Sequence, residues 1–162
     1  MFISLVADMK YVAICSIKFL IALFLVTLVV FTFGCNNSNE HEVTFEQLVS
    51  NPNQYDGKDI ILEGFFFHGF EIQVIVERLD YSGYSEGHLV PKGEMIWIEG
   101  GMPSDVHEAM YIQDMMGPEE RYGKVRMTGK FEFGEQYGHL GSYNLQIVPS
   151  EVELLEWSQP EP

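Results

Sequence analysis

Three side chains that could bind or position a ligand lie close together late in the chain. Residues 131–149 read FEFGEQYGHLGSYNLQIVP and contain Tyr137, His139 and Tyr143 among several glycines. Tyrosine rings offer stacking surfaces, and histidine is a hydrogen-bonding group that titrates near neutral pH. We predict that these three residues, together with Trp97, form a ligand-binding site. In the alternative interpretation, the glycines only shape a long hairpin and the tyrosines cover one end of the core.

A second group of residues could bind a metal ion or support catalysis. Glu99 and His107 lie in the stretch EGGMPSDVH, and with His139 they offer carboxylate and imidazole ligands. Helix capping and exposure to solvent explain Asp105 and His107 better. Glu108 follows His107, but no second histidine completes an HExxH zinc motif, and the sequence contains no GxSxG motif. We predict no catalytic residue, no metal site and no cofactor; a metal-binding protein or enzyme is the alternative.

The first 34 residues have the layout of a signal peptide. Lys10 and Lys18 precede an unbroken apolar run from Phe19 to Phe33. This run is short for a membrane span, which needs about 20 apolar residues. Met9, which directly precedes Lys10, is an alternative translation start. We therefore assign residues 1–34 to targeting rather than to the fold.

The residues after the apolar run indicate a lipid anchor. Gly34-Cys35, followed by NNSNEHE, resembles the signal of bacterial lipoproteins, in which a lipid-modified cysteine becomes the mature N-terminus. Thr32 and Phe33 depart from the leucine and the small residue that are usual in that family. The resemblance implies lipidation of Cys35 and a lipidated tether at residues 35–42. It places the protein on the cell membrane or outer membrane, facing outside the cytoplasm. An uncleaved membrane-spanning helix is the alternative.

The charge of the mature chain argues against a nucleic-acid partner. The full chain has a net charge of −15, and removal of residues 1–34 takes away Lys10, Lys18 and Asp8, which leaves −16. Such a domain repels the phosphates that supply most nucleic-acid affinity. The main basic cluster, at residues 121–130, has the alternation of a solvated strand face. We therefore predict no nucleic-acid partner.

Two helices are predicted in the domain. Thr44 and Gln47 form a capping box at the start of the first helix. Pro52 ends that helix, and Asp56-Gly57 form a turn into the first strand. The second helix is predicted to start with Ser104 as N-cap and to stop at Gly117-Pro118. Its apolar side consists of Val106, Ala109, Met110 and Met116.

Five segments have the composition and period of strands. The first two are KDIILEGFFF and FEIQVIVERL, joined by a hairpin turn at His68-Gly69. The third is GEMIWIEGG, the fourth is KVRMTGKFEF, and the fifth is SYNLQIV, which ends before Pro149. In the fourth strand we expect a bend or close approach at Gly129. That strand is predicted to bury Val125, Met127, Phe131 and Phe133.

The order of these elements predicts the fold. Three strands, a helix and two more strands are the layout of the five-stranded OB-like Greek-key barrel. We predict a mainly β domain at residues 43–158, with an N-terminal helix and a helix between strands three and four, and a tail at residues 159–162. The alternative is another small barrel or sandwich with the helix packed at one end. In OB barrels, the loops after strands one and four flank the ligand face.

Two segments of the domain carry a family resemblance. YDGKDIILEG and YGHLGSYNLQIVPSEVELLEW resemble the start and end of the domain in uncharacterised bacterial and archaeal envelope proteins. The resemblance implies an envelope location and carries no activity with it. Together with the anchor, it predicts a membrane-anchored, non-catalytic binding or scaffolding module of the cell envelope. The predicted partners are the membrane, through the lipid, and an envelope protein or small ligand.

Overall fold

The computed structural model describes residues 41–114 and 117–160. The predictions for residues 1–34, for Cys35 and for Met116 lie outside the described residues. Residues 41 and 42, which we expected in the tether, belong to the first strand, β1 (His41–Val43). Within the described ranges, no helix is both long enough and apolar enough to cross a membrane.

The helix signal at Thr44 is confirmed. The Thr44 hydroxyl accepts a hydrogen bond from the Gln47 backbone N–H at 3.2 Å, and the Gln47 side chain accepts one from the Thr44 N–H at 2.9 Å. Helix α1 (Phe45–Ser50) follows. Pro52 does not simply end this helix, because it begins a second short helix, α2 (Pro52–Tyr55). Proline suits this position, where its missing N–H would lack a helical partner in any case.

Among the described residues, the remaining elements are six strands, one short helix and a single 3₁₀ turn. Strands β2 (Asp59–Gly69) and β3 (Ile72–Tyr81) form a hairpin, and β4 (Leu89–Ile98) pairs next to β3. Helix α3 (Ser104–Glu108) and strand β5 (Tyr111–Gln113) follow. Strands β6 (Glu120–Tyr137) and β7 (Tyr143–Leu154) are joined by a 3₁₀ turn at His139–Gly141.

The strands form one seven-stranded mixed sheet in the order β1-β2-β3-β4-β7-β6-β5. Strands β1 and β2 are parallel, as are β4 and β7, and the other neighbours are antiparallel. An additional antiparallel pairing joins β2 to β6 along most of β2. The prediction of a mainly β fold is therefore confirmed, and β1 and β5 are strands that we did not predict.

The hairpin turn between β2 and β3 lies two residues later than predicted. His68 pairs with Gln73 and Gly69 pairs with Ile72, so the turn consists of Phe70 and Glu71. His68-Gly69 is therefore the wrong position for the turn, because pairing with β3 extends β2 through the glycine. The shift also takes Phe70 out of the second predicted strand and places it in the turn, where it is 69% exposed.

The second predicted helix is mostly wrong. Helix α3 contains only Ser104–Glu108, and its N-cap is Pro103 rather than Ser104. The next residues form β5, in which Tyr111 pairs with Tyr122 of β6, and their rings stack at 5.8 Å. A backbone ladder and an aromatic contact across strands thus replace the helical turns that local propensity favours.

Strand β7 also differs from its prediction, because it continues through Pro149 to Leu154. Gly129 pairs with Pro149, and the register shifts by one residue at this point, which is a β-bulge. Bulges and edges are where a sheet tolerates proline. A Cβ atom on Gly129 would lie 2.8 Å from the Cα atom of Pro149, so the predicted close approach at this glycine is confirmed.

Apolar side chains form two clusters. The alternation predicted for β6 is confirmed at Val125, Met127 and Phe131, which are fully buried, while Lys130 is exposed and Phe133 is only partly buried. The larger cluster contains these buried residues and side chains from α1, β2, β4 and β7. The second cluster consists of Phe67, Val74, Val76, Leu79, Leu89 and Tyr122, with Phe65, Ile72, Met95, Trp97, Tyr143 and Trp157 packed against it.

Candidate functional site

The loop between β6 and β7 depends on two glycines with left-handed backbone. Gly138 and Gly141 both have φ of 67°, as the sequence led us to expect. Tyr137 and Tyr143 pair across the base of the loop, and the 3₁₀ turn lies between them. The loop is therefore a tight, closed end of the β6–β7 hairpin.

Trp97 and Tyr143 meet directly beneath this loop. Their ring centroids are 5.3 Å apart with planes inclined at 36°, and both rings pack against the second cluster. A Cβ atom on Gly138 would lie 2.5 Å from the Trp97 ring and 2.7 Å from the Tyr143 ring. The indole N–H of Trp97 donates a hydrogen bond to Glu99 at 3.0 Å. The backbone of the loop thus lies on two of the predicted site residues.

Loss of solvent raises the pKa of both tyrosines at the ends of the loop. Loss of solvent raises the pKa of Tyr143 above its ordinary value. Loss of solvent also raises the pKa of Tyr137, to which the carboxylates of Glu135 and Glu132 add. At neutral pH both hydroxyls therefore carry their protons and can donate and accept hydrogen bonds.

The loop reaches a second loop through His139. Its Nε2 atom lies 3.3 Å from a carboxylate oxygen of Glu71, in the β2–β3 turn, and the two side chains are 40% and 49% exposed. A contact between side chains this exposed contributes little to stability, about 0–1 kcal/mol. The contact does bring together two turns that are far apart in sequence.

Both turns contain a strained residue at this contact. Among residues 41–114 and 117–160, only Glu71, with φ of 59°, and Leu140, with φ of 53°, are non-glycine residues with positive φ. Glu71 is part of the His139–Glu71 contact, and Leu140 directly follows His139. Left-handed backbone costs a branched or long side chain roughly 1–2 kcal/mol.

Two large apolar side chains are exposed beside the contact between His139 and Glu71. Phe70 precedes Glu71 and is 69% exposed, while Leu140 follows His139 and is 88% exposed. We call these four residues, Phe70, Glu71, His139 and Leu140, the loop tip. Phe70 and Glu71 were not among the predicted site residues, because the hairpin turn was predicted two residues too early.

The residues of the predicted metal alternative have separate partners. Glu99 accepts the hydrogen bond from Trp97, and His139 contacts Glu71. The Nε2 atom of His107 lies 3.3 Å from Nδ1 of His68. In the part of the chain that the structure describes, no three His, Cys, Asp or Glu side chains are grouped closely enough to hold a metal ion.

The two histidines in contact are held near an arginine. Burial lowers the pKa of His68 below its ordinary value, and the nearby His107 and Arg121 lower it further. A guanidinium nitrogen of Arg121 donates a hydrogen bond to the His107 carbonyl at 3.0 Å. This cluster fixes the end of α3 against β2 and β6.

Another polar network at the start of β4 was not predicted. Nδ1 of His88 is 2.8 Å from the Ser82 hydroxyl, and its Nε2 is 3.0 Å from Glu120. The Gln113 amide bonds both the Leu89 backbone and Glu120. These contacts join the β3–β4 loop to β5 and β6 and satisfy the polar groups that the loop buries. The network therefore has a structural role.

Comparison of this chain with known proteins assigns it no function. No protein-family model, curated protein or solved structure matches this chain. What the protein does must therefore be inferred from its own residues.

Proposed function

We propose that the protein is a lipid-anchored, non-catalytic binding module of the cell envelope that holds an envelope protein partner through its loop tip. The attachment rests on the resemblance of Gly34-Cys35 to the lipoprotein signal. The envelope location also rests on the resemblance of YDGKDIILEG and the final strand region to bacterial and archaeal envelope proteins. The binding role rests on the geometry of the loop tip.

We also propose an OB-like barrel built from β2, β3, β4, β6 and β7. Strand β2 pairs with β3 and β6, β3 pairs with β4, β4 with β7, and β7 with β6. Each of the five strands thus has at least two partners within the set, which supports closure. In an OB barrel the loops flanking the ligand face follow strands one and four. Here these are the β2–β3 turn and the β6–β7 loop.

The observation that carries the proposal is the combination of strain and exposure at the loop tip. Leu140 has positive φ and is 88% exposed, so its side chain gains almost no burial in exchange for the strain. Glycine or asparagine would adopt the same backbone more easily. Backbone strain persists at sites where function requires it. Leu140 and Phe70 are both exposed beside the His139–Glu71 contact. Two such apolar side chains are suited to insertion into an apolar depression of a partner.

The charges of the described residues support a partner other than nucleic acid. The basic cluster on β6 is neutralised within the domain: Arg121 pairs with Glu119, Lys124 and Arg126 with Glu63, and Lys130 with Glu132. These contacts fit the interpretation of a solvated strand face. They leave no concentrated positive charge on this face for phosphates.

Site-specific photo-crosslinking in intact membranes tests the binding site. A benzophenone amino acid is placed at Leu140, at Phe70, and at Tyr84, which is 93% exposed in the β3–β4 loop and serves as the matched control. We expect one discrete crosslinked product from positions 140 and 70, and none from position 84. The same products at all three positions, or no product at any of them, would contradict the proposal.

The anchor is tested separately with Cys35→Ser. Acyl chains supply the hydrophobic attachment of a lipoprotein. The substitution should therefore release the protein from the membrane fraction or leave a precursor of higher mass, as detected by fractionation and mass spectrometry. Unchanged mass and unchanged fractionation would refute lipidation while leaving the loop-tip experiment valid.

A further inference from the structure

The segment after β7 crosses a row of aromatic side chains. Residues 156–160, which we call the strap, contain no helix, strand, turn or bend and follow Leu155, whose N–H donates to the Lys124 carbonyl at 2.8 Å. Beyond Leu155, the described part of the chain gives the strap no backbone–backbone hydrogen bond. The strap is therefore held by side chains and not as an eighth strand of the sheet.

Trp157 is the main anchor of the strap. Its ring meets three aromatic rings edge to face: Phe65 at 5.0 Å, Tyr111 at 5.7 Å and Tyr122 at 6.3 Å. Edge-to-face contacts at these separations are the favourable arrangement for aromatic pairs. We call the surface formed by Phe65, Tyr81, Tyr111 and Tyr122 the aromatic groove.

Hydroxyl groups of the groove bind the backbone of the strap. Tyr111 donates to the Trp157 carbonyl at 2.7 Å, and Tyr81 donates to the Pro160 carbonyl at 2.5 Å. The Gln159 side-chain amide donates to the Tyr122 hydroxyl. The groove thus recognises an indole ring, the carbonyl of the same residue, and the carbonyl of a proline three residues later.

This is the chemistry by which proteins bind extended peptides. Grooves lined with aromatic side chains bind proline-containing segments because such segments are already extended and lose little conformational entropy on binding. Ser158, Gln159 and Pro160 are exposed, so few of their atoms are committed to the core. A cavity of about 460 Å³ beside Trp157, lined in part by Met110, Lys124 and Leu154, continues the groove past the indole.

We propose that the aromatic groove is a peptide-binding surface for an extended partner segment that carries tryptophan followed three residues later by proline. In the structure the chain's own strap occupies this surface and competes with the partner. The groove involves none of the four residues of the loop tip, so an experiment that contradicts one binding surface would not contradict the other.

Peptide binding to the full chain tests the groove. The probe is a fluorescein-labelled peptide LEWSQP, the sequence of Leu155 and the strap, titrated against the wild-type chain and against Trp157→Ala, and followed by anisotropy. If the strap fills the groove most of the time, its removal should tighten the apparent Kd by roughly tenfold or more. The control peptide LEASQP should bind neither protein, because it lacks the indole.

Two further variants keep the result interpretable. The double variant Gln159→Ala/Pro160→Gly loosens the strap but retains Trp157 and every groove residue, so it should also bind the peptide more tightly than wild type even if Trp157→Ala fails to fold. Leu140→Ala, in the loop tip, should bind the peptide as wild type does.

Three outcomes would overturn the proposal. The first is the absence of peptide binding to both folded variants, which would make the strap a purely structural element. The second is equal binding to wild type and variants, which would place the peptide elsewhere. The third is a wild-type dimer in sedimentation that becomes monomeric in Trp157→Ala, which would identify the strap of a second copy as the occupant.

Discussion

Replacing Gly138 with alanine tests the contact between the β6–β7 loop and the aromatic pair beneath it. The backbone at Gly138 has φ of 67° and ψ of −161°. Residues other than glycine almost never occupy this region, and holding one there costs roughly 1–3 kcal/mol. The added methyl group would also lie 2.5 Å from the Trp97 ring and 2.7 Å from the Tyr143 ring.

The two costs add. Overpacking of a well-packed contact costs about 1–3 kcal/mol, because side chains must leave their preferred rotamers or the backbone must move. We therefore expect Gly138→Ala to lower the free energy of unfolding by about 2–6 kcal/mol. Since small domains have about 5–15 kcal/mol in total, this loss would be large.

Gly134→Ala is the matched control. Gly134 also has positive φ, at 99°, but a Cβ atom there would meet nothing within 4 Å. This substitution carries the backbone strain without the clash. We expect it to cost about 1–3 kcal/mol less than Gly138→Ala, which corresponds to a difference of about 1 M in the urea midpoint. Fluorescence of Trp97 should shift only in the Gly138 variant.

The result that would refute this reasoning is an equal loss of stability in the two variants. Equal losses would mean that the loop backbone does not lie on the aromatic pair. An unchanged fluorescence spectrum in a destabilised Gly138→Ala would point to the same conclusion, because the indole would then keep its surroundings.

Two further predictions concern the core and its histidines. Phe131→Ala removes a fully buried ring and should cost about 3–5 kcal/mol in urea unfolding. Lys130→Ala changes an exposed side chain and should leave the urea midpoint nearly unchanged; equal losses in the two variants would contradict the strand phase. Burial lowers the pKa of His68, so below about pH 6.5 this residue binds a proton more readily in the unfolded chain than in the folded one. The free energy of unfolding should therefore fall as the pH drops below about 6.5. His68→Gln should show a weaker fall as the pH drops below about 6.5 in the same assay, and an unchanged pH dependence would contradict this explanation.

Local interactions explain what the sequence could predict. The capping box of Thr44 and Gln47 involves residues three apart, and its hydrogen bonds form as expected. The period of two along β6 correctly assigns Phe131 to the core and Lys130 to solvent, since neighbouring side chains of a strand point to opposite faces. The left-handed backbone at Gly138 and Gly141 also follows from residue type alone.

Pairing between distant segments explains the predictions that were wrong. Gly69 has the composition of a turn, yet its pairing with Ile72 makes it the last residue of β2. Tyr111 lies in a stretch with helical patterning, yet its contacts with Tyr122 make it part of β5. In each case hydrogen bonds and packing across strands outweigh the local preference, which is worth at most about 1 kcal/mol per residue.

The candidate binding surfaces depend even more on tertiary structure. The sequence identified His139, but its partner Glu71 belongs to another hairpin, and no local pattern links the two. The same holds for Trp157, which meets Phe65, Tyr111 and Tyr122 only after the sheet has assembled. By itself the sequence determined the acidic charge, the β-rich class and the glycine positions at which the β6–β7 loop adopts left-handed backbone. Only the tertiary structure decided which side chains share a surface, because that depends on contacts between residues far apart along the chain.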